Sequence, residues 1–224
     1  MARTAPRVSG LSMLPDLSQQ LILDRFFEHA HRRAYRNNDV IISAGDYSTE
    51  LYYLVEGSVS VQYEDQDGHE IILAYLHEGD FFGEIGMFDE RRERSAWVRA
   101  RGDAEVAHLS YDGLRDLTRV SPHLVFEMMS QLAVRVRNTS RKASDLAFTD
   151  VAGRVARVLL ELTSQPEAMP HERGTRLKVT RQELSRLAGC SREMVSRVLR
   201  VLEERRIVAT EGRSLIVFEH GTDA

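Results

Sequence analysis

The 224-residue chain contains a single cysteine, Cys190, which excludes an intramolecular disulfide and any single-chain iron–sulfur or two-cysteine zinc site. No apolar run approaches the ~20 residues of a membrane span. The first seventeen residues carry Arg3, Pro6, Arg7 and Asp16 and lack the apolar centre of a signal peptide, so a cytoplasmic location is expected. There is no internal repeat, low-complexity tract, Walker loop, nucleophile motif or His/Glu metal-binding set. Neither catalysis nor a metal site is expected, and no haem or iron–sulfur ligands are evident. His29 and His31 read as surface residues on a helix end, and Cys190 as a packed thiol.

The net charge of −4 hides an asymmetry. Residues 1–150 carry a formal −7 and residues 151–224 a formal +3, the pattern of an acidic front half joined to a back half able to meet a polyanion. Solvated surface charge alone also produces such an imbalance.

Three periodicities follow along the chain. Leu17 to Arg33 is helical in spacing, with Leu17/Leu21, Ile22/Phe26 and Leu23/Phe27 four apart. Val40–Ile42, Leu51–Val55, Ser58–Tyr63, Ile71–Tyr75, Ala96–Ala100 and Glu105–Ser110 are short β-branched and aromatic runs between glycine turns, as in a sandwich or barrel. Asp67-Gly68 fits a type I′ hairpin turn. Pro122 to Phe148 then predicts one long helix whose stripe is Val125, Met128, Leu132, Arg135, Thr139, Lys142 and Leu146. That stripe fits either a core helix with a polar end or a dimer helix whose polar section touches a buried ligand. Phe148-Thr149-Asp150 reads as a hinge, with Asp150 capping a helix that buries Val151, Val155, Val158, Leu159 and Leu162. Gln165 to Gly174 reads as a loop.

Thr180 to Glu183 has the form of a capping box, the short helix meets Gly189, and Ser191 caps a second helix with Val195, Val198 and Leu202 on its core face. Two capped helices around a tight glycine turn predict a helix-turn-helix, and Ile207–Thr210 with Ser214–Phe218, turning at Glu211 to Arg213, predict a wing. Arg192, Glu193 and Arg197 project from the first turns of the second helix. Arginine donates two hydrogen bonds to guanine O6 and N7, and glutamate accepts from cytosine N4.

Phe81-Phe82-Gly83-Glu84-Ile85-Gly86 is followed by Arg94-Ser95-Ala96. A glycine entering a short helix, an arginine fork and a serine hydroxyl suit a phosphate. Glu84 would be repelled by that phosphate unless it accepts from a ribose hydroxyl, and a structural Glu84–Arg94 salt bridge is the alternative.

Phe82 to Phe88 and Glu93 to Ala100 closely resemble the cyclic-nucleotide cassette of the bacterial catabolite activator (cAMP receptor protein) family, part of the CRP/FNR group. The resemblance continues through Leu146-Ala147-Phe148, Asp150-Val151, Gly153-Arg154, Val179 to Glu183 and Gly189 to Glu193, and covers roughly residues 20–219. It implies an α+β chain. Residues 18–121 would be a jelly-roll β-barrel binding a cyclic nucleotide, 122–148 a dimerisation helix, and 149–224 a winged helix-turn-helix; residues 1–17 have no counterpart in the resemblance and read as a flexible arm. It implies cAMP as effector, its phosphate held by Gly83, Arg94 and Ser95 beside Ala96, its ribose by Glu84 and its pocket closed by Arg135. Thr139 would read the adenine, and Ser140 the adenine in the partner subunit. Arg192, Glu193 and Arg197 would read bases, while Thr180, Arg181, Ser191 and the wing turn at Gly212 would meet phosphates. The implied partners are a second copy, double-stranded DNA with a palindromic TGTGA-type site, and RNA polymerase. Relatives that respond to cyclic di-GMP are also similar over this length and tend to differ at the threonine–serine pair, so Thr139-Ser140 favours cAMP. Pro170 to Gly174 aligns with the family's main polymerase-contacting loop but differs in its residues. Ligand-independent DNA binding, or a cyclic-nucleotide subunit that binds no DNA, are the alternative readings.

Overall fold

The computed structural model describes residues 16–218, with side chains from Leu23 onward. The expected arm lies outside them except for Asp16 and Leu17. The described chain forms two compact units, 16–139 and 140–218.

The first unit runs α1 (Asp16–His29), β1 (His31–Tyr35), β2 (Val40–Ile42), β3 (Glu50–Glu56), β4 (Ser58–Glu64), β5 (Glu70–His77), β6 (Phe81–Phe82), α2 (Ile85–Phe88), β7 (Trp97–Ala100), β8 (Ala104–Ser110), α3 (Tyr111–Val120) and the start of α4 (His123–Phe148). Two antiparallel four-stranded sheets, ordered β1-β8-β3-β6 and β2-β7-β4-β5, face each other. Alternation along β3 sends Leu54 into the space between them with Tyr35, Val59, Leu76, Phe82, Val98 and Val106. Leu51 and Tyr53 point the other way, joining Phe81 and Leu109 under Phe26 of α1, Leu114 and Leu117 of α3, and Leu124 and Met128 of α4. One sheet is therefore buried on both faces, which is why β3 reads as an unbroken apolar run.

Three local expectations are corrected here. The helical pattern through Arg33 stops at His29, because His31–Tyr35 pairs antiparallel with Ala104–His108 as an edge strand. Ladder hydrogen bonds override the local period, and His31 lies on that strand. At the β4–β5 turn only Gly68, at φ 79°, is left-handed. Gly68 N–H donates to Asp65 O at 3.1 Å, so the turn is a three-residue loop closed by a glycine bulge rather than type I′. The expected stripe of α4 mixes two faces. Leu124, Met128, Gln131 and Arg135 turn to the β-roll, whereas Val125, Met129 and Val136 are exposed, Met129 by 58% and Val136 by 63%.

The second unit holds the last turns of α4, then α5 (Val151–Thr163), β9 (Met169–His171), β10 (Gly174–Leu177), α6 (Arg181–Ala188), α7 (Arg192–Glu204), β11 (Val208–Glu211) and β12 (Ser214–Phe218). Its antiparallel sheet is ordered β11-β12-β10-β9. The stretch 165–174, expected to be a loop, instead opens a hairpin, and Glu211 accepts from Arg173 Nη2 at 2.9 Å and Arg176 Nη2 at 3.0 Å across it. Buried residues on α7 are Val195 and Leu199, with Val198 and Leu202 only half-buried; Leu199 was not on the expected core face.

Between α4 and α5, Asp145 at the end of the long helix pairs with Arg157, and Thr149 Oγ1 lies 3.5 Å from the same carboxylate. Asp150 Oδ1 caps α5 by accepting from Gly153 N–H at 2.7 Å. Asp150→Ala should lower thermal stability of this unit by about 1 kcal/mol, read by calorimetry of the full chain. Among the described residues no helix is long and apolar enough to cross a membrane.

Candidate ligand cassette and nucleic-acid interface

After β6 the chain turns through Gly83 at φ 81°. A Cβ there would stand 2.6 Å from Arg94 Nη1 and 2.9 Å from Tyr52 Cδ2, so only glycine lets the guanidinium approach this closely. Arg94 is 8% exposed. Its Nη1 donates to Gly83 O at 2.9 Å and its Nη2 to Glu50 O at 2.8 Å, while the guanidinium carbon sits 5.2 Å from the centre of the Tyr52 ring. The Tyr111 hydroxyl donates to Gly83 O at 2.5 Å and shares a 2.5 Å bond with the fully buried Ser48. Burial pushes the Tyr52 hydroxyl up to about 12 against the opposing pull of Arg94. It stays protonated and donates to Glu50 Oε2 at 3.3 Å.

Glu84, 6% exposed, does not pair with Arg94. Its cation is Arg135, whose Nη1 lies 3.5 Å from Glu84 Oε1 and whose Nη2 donates to Phe81 O and reaches Asp80 Oδ1 at 3.4 Å. The alternative Glu84–Arg94 salt bridge is thus not made. Arg94 is held by neutral carbonyls and has no carboxylate partner among the described residues. A buried cation whose charge no carboxylate neutralises is suited to an incoming anion.

Ser95 is exposed beside it and Ala96 half-buried, on the segment entering β7. The fold thus gathers Gly83, Glu84, Arg94, Ser95, Ala96 and Arg135. Thr139 and Ser140 lie about one turn further along α4, both exposed, where the two units divide. The cassette supports Ser48, Glu50, Tyr52 and Tyr111, and Gln131 at the outer edge of β6, are absent from the expected set. None of the five lies in a motif of the sequence, and the carbonyl of Glu50 has no side-chain signature at all.

In the second unit, α6 ends at Gly189, left-handed at φ 59°, and α7 begins after Ser191. Thr180 Oγ1 accepts from Glu183 N–H at 3.1 Å and Ser191 Oγ from Met194 N–H at 3.2 Å. Both hydroxyls act as caps and keep their own proton for an outside acceptor. Arg181 is exposed at the first position of α6, and Arg192, Glu193 and Arg197 are exposed on α7, joined by Arg200. Gly212, at φ 60°, forms the wing tip. The turn is braced from behind by Arg154, whose Nε donates to Ala188 O at 2.9 Å, Nη2 to Gly189 O at 3.3 Å and Nη1 to Thr149 O at 2.8 Å. The result is a rigid helix pair presenting an Arg/Glu/Arg face, the arrangement that enters a major groove.

Comparison with known proteins agrees with both halves. Residues 32–121 match the cyclic nucleotide-binding domain family and residues 153–219 the Crp-like helix-turn-helix domain family. The chain is 49% identical over 199 residues to the cAMP-activated global transcriptional regulator Vfr of Pseudomonas aeruginosa, covering 88% of this chain and 93% of Vfr. It is 45% identical over 196 residues to the cAMP-activated global transcriptional regulator CRP of Pasteurella multocida, covering 88% and 94%. Among solved structures, the cyclic di-GMP-responsive global regulator CLP of Xanthomonas campestris superposes with a TM-score of 0.85 at 40% identity, covering 89% of this chain and 99% of CLP. With a nucleotide-type cassette in one unit and a braced helix-turn-helix in the other, the chain belongs to the CRP/FNR family of DNA-binding transcriptional regulators and is a regulator, not an enzyme.

Proposed function

We propose that this chain is a cytoplasmic, homodimeric transcription regulator whose DNA binding is switched on by cAMP. The observation that carries this reading is the separation of charge in the cassette. Arg94 is buried on neutral carbonyls and open to a phosphate, while Glu84 is buried on Arg135 and able to accept from a sugar hydroxyl. Gly83, Ser95 and Ala96 complete the phosphate end, and Thr139, with Ser140 of the partner subunit, reads the adenine. The similarity to Vfr and CRP, both cAMP-activated, supports the same assignment.

Two copies meet along the exposed Val125, Met129 and Val136 face of α4, with the half-buried Leu132 between them. The ligand biases the arrangement of these helices, and the pair of recognition helices then spans about one DNA turn, ~34 Å, to read a two-fold TGTGA-type site. Shifting such an equilibrium from 1:99 to 99:1 requires a preference of about 5.5 kcal/mol for the DNA-competent state, which two ligands per dimer share. Thr180, Arg181, Ser191 and the wing at Gly212 hold backbone phosphates while Arg192, Glu193 and Arg197 read bases. Bound there, the protein contacts RNA polymerase.

The test is binding of nucleotide-stripped protein to a palindromic duplex at fixed salt, with and without cAMP, cGMP and cyclic di-GMP. Tight binding only with cAMP is expected. A second reading, release from DNA by cyclic di-GMP, is favoured by the similarity to CLP; binding that needs no ligand and is abolished by cyclic di-GMP establishes it instead. Arg192→Ala should cost about 1–3 kcal/mol of DNA affinity and relax the preference at one base pair, measured by competition with single-base variants of the site. Unchanged affinity and specificity would remove α7 from the groove.

A further inference from the structure

Among the described residues β6 is the edge of its sheet, paired with β3 alone. Within it the polar groups alternate in direction: Asp80 O accepts from Leu54 N–H at 3.0 Å inside the sheet, so the N–H and C=O of Phe81 face outward. Such an edge is normally left to water or to another strand. Here α4 closes it with side chains. Gln131 Oε1 accepts from Phe81 N–H at 2.9 Å, Gln131 Nε2 donates to Gly79 O at 2.9 Å, and Arg135 Nη2 donates to Phe81 O. Only a side-chain amide supplies one acceptor and one donor side by side, so Gln131 stands in for the missing strand. Its position is fixed from both sides, because Oε1 also lies 3.4 Å from Arg135 Nη2 and Nε2 lies 3.4 Å from Glu127 Oε1.

The strand held in this way runs directly into Gly83 and Glu84, two and three residues after Phe81. The helix that holds it carries Met129 and Leu132 on either side of Gln131. We propose that Gln131 is a positioning residue that couples occupancy of the cassette to α4, through the main chain of Gly79 to Phe81 rather than through contact with ligand. This rests on the proposed ligand-gated function. When the cassette closes on its ligand, β6 shifts as a unit, and the amide carries that shift into the helix. Arg135 shares the strand but also faces Glu84 and the ligand, so its removal would mix binding with coupling. Gln131 touches neither.

The experiment measures two quantities on the full-length protein: cAMP affinity by calorimetry, and the gain in DNA affinity on adding cAMP. In Gln131→Met, which removes both edge bonds at similar volume, cAMP affinity should stay within about threefold of wild type while the cAMP-induced gain falls about tenfold or more, within the range of a single allosteric coupling. Hydrogen exchange at the Phe81 amide should quicken. Gln131→Glu keeps the acceptor for Phe81 N–H but sets a carboxylate oxygen against Gly79 O and Glu127 in place of the donor, so its gain should fall as well; it also serves if the methionine variant folds poorly. A gain unchanged in both variants overturns the assignment, as does a parallel fall in cAMP affinity and gain, which marks simple damage to the pocket. If wild-type protein shows no cAMP-dependent gain, the proposed function falls together with the inference. If wild type responds and the variants respond equally, Gln131 alone is dismissed.

Discussion

Arg94→Leu should bind cAMP about 10²- to 10⁴-fold more weakly than wild type, because removing a buried charged partner costs about 3–5 kcal/mol and each 1.4 kcal/mol is tenfold. The guanidinium is held by Gly83 O and Glu50 O, with its charge left for the ligand. The substitution also leaves Glu50 O without its donor, a loss of about 1–3 kcal/mol in stability, whereas Gly83 O retains Tyr111. Arg94→Lys keeps the charge but cannot span two carbonyls and a phosphate with one planar fork, so its affinity should fall between the two. Calorimetric titration with cAMP measures the loss, with melting temperature followed in parallel to separate binding from folding. Wild-type affinity in the leucine variant would place the phosphate elsewhere.

Met129→Asp is expected to abolish operator binding even at saturating cAMP. Met129 is 58% exposed and lies outside the core that α4 forms with the sheet, so a carboxylate there stays solvated within a single chain. In the proposed dimer it would lie on the isologous interface, close enough to the two-fold axis to face its own copy. Two carboxylates desolvated against each other cost several kcal/mol. A monomer presents one recognition helix and loses the second half-site. Sedimentation should show a monomer that still unfolds cooperatively, at a lower melting temperature because association no longer stabilises it, and cAMP binding should survive in part, since most of the proposed pocket residues belong to one chain. A dimeric variant with full operator binding would move the subunit interface off this face.

The longer elements were legible because their side chains alternate or repeat cleanly. β3, β4, β5 and β8 carry β-branched and aromatic residues, and α7 begins with a serine cap that the structure uses directly. What escaped was local structure set by distant partners. His31–Tyr35 has little strand character and becomes a strand only because β8 offers it a ladder. β6 is two residues long and α2 four, too short for any period to register. The stripe of α4 was drawn through Met128 and Arg135, which face the roll, because an apolar helix packed on one side and exposed on the other has two overlapping repeats. The charged members of the cassette were visible as types in a pattern. Their relation to one another was not: that Arg94 rests on two carbonyls and Glu84 on Arg135 depends on backbone brought together by the fold.

The ion pair of Asp145 with Arg157 bears on how the protein can be taken apart. The evident place to cut, between Phe148 and Thr149, would strip Arg157 of its carboxylate and remove the residue that Thr149 leans on. A gene fragment encoding a minimal promoter reader should therefore start near Ser140, keeping two turns of a helix that a boundary drawn at the hinge would discard.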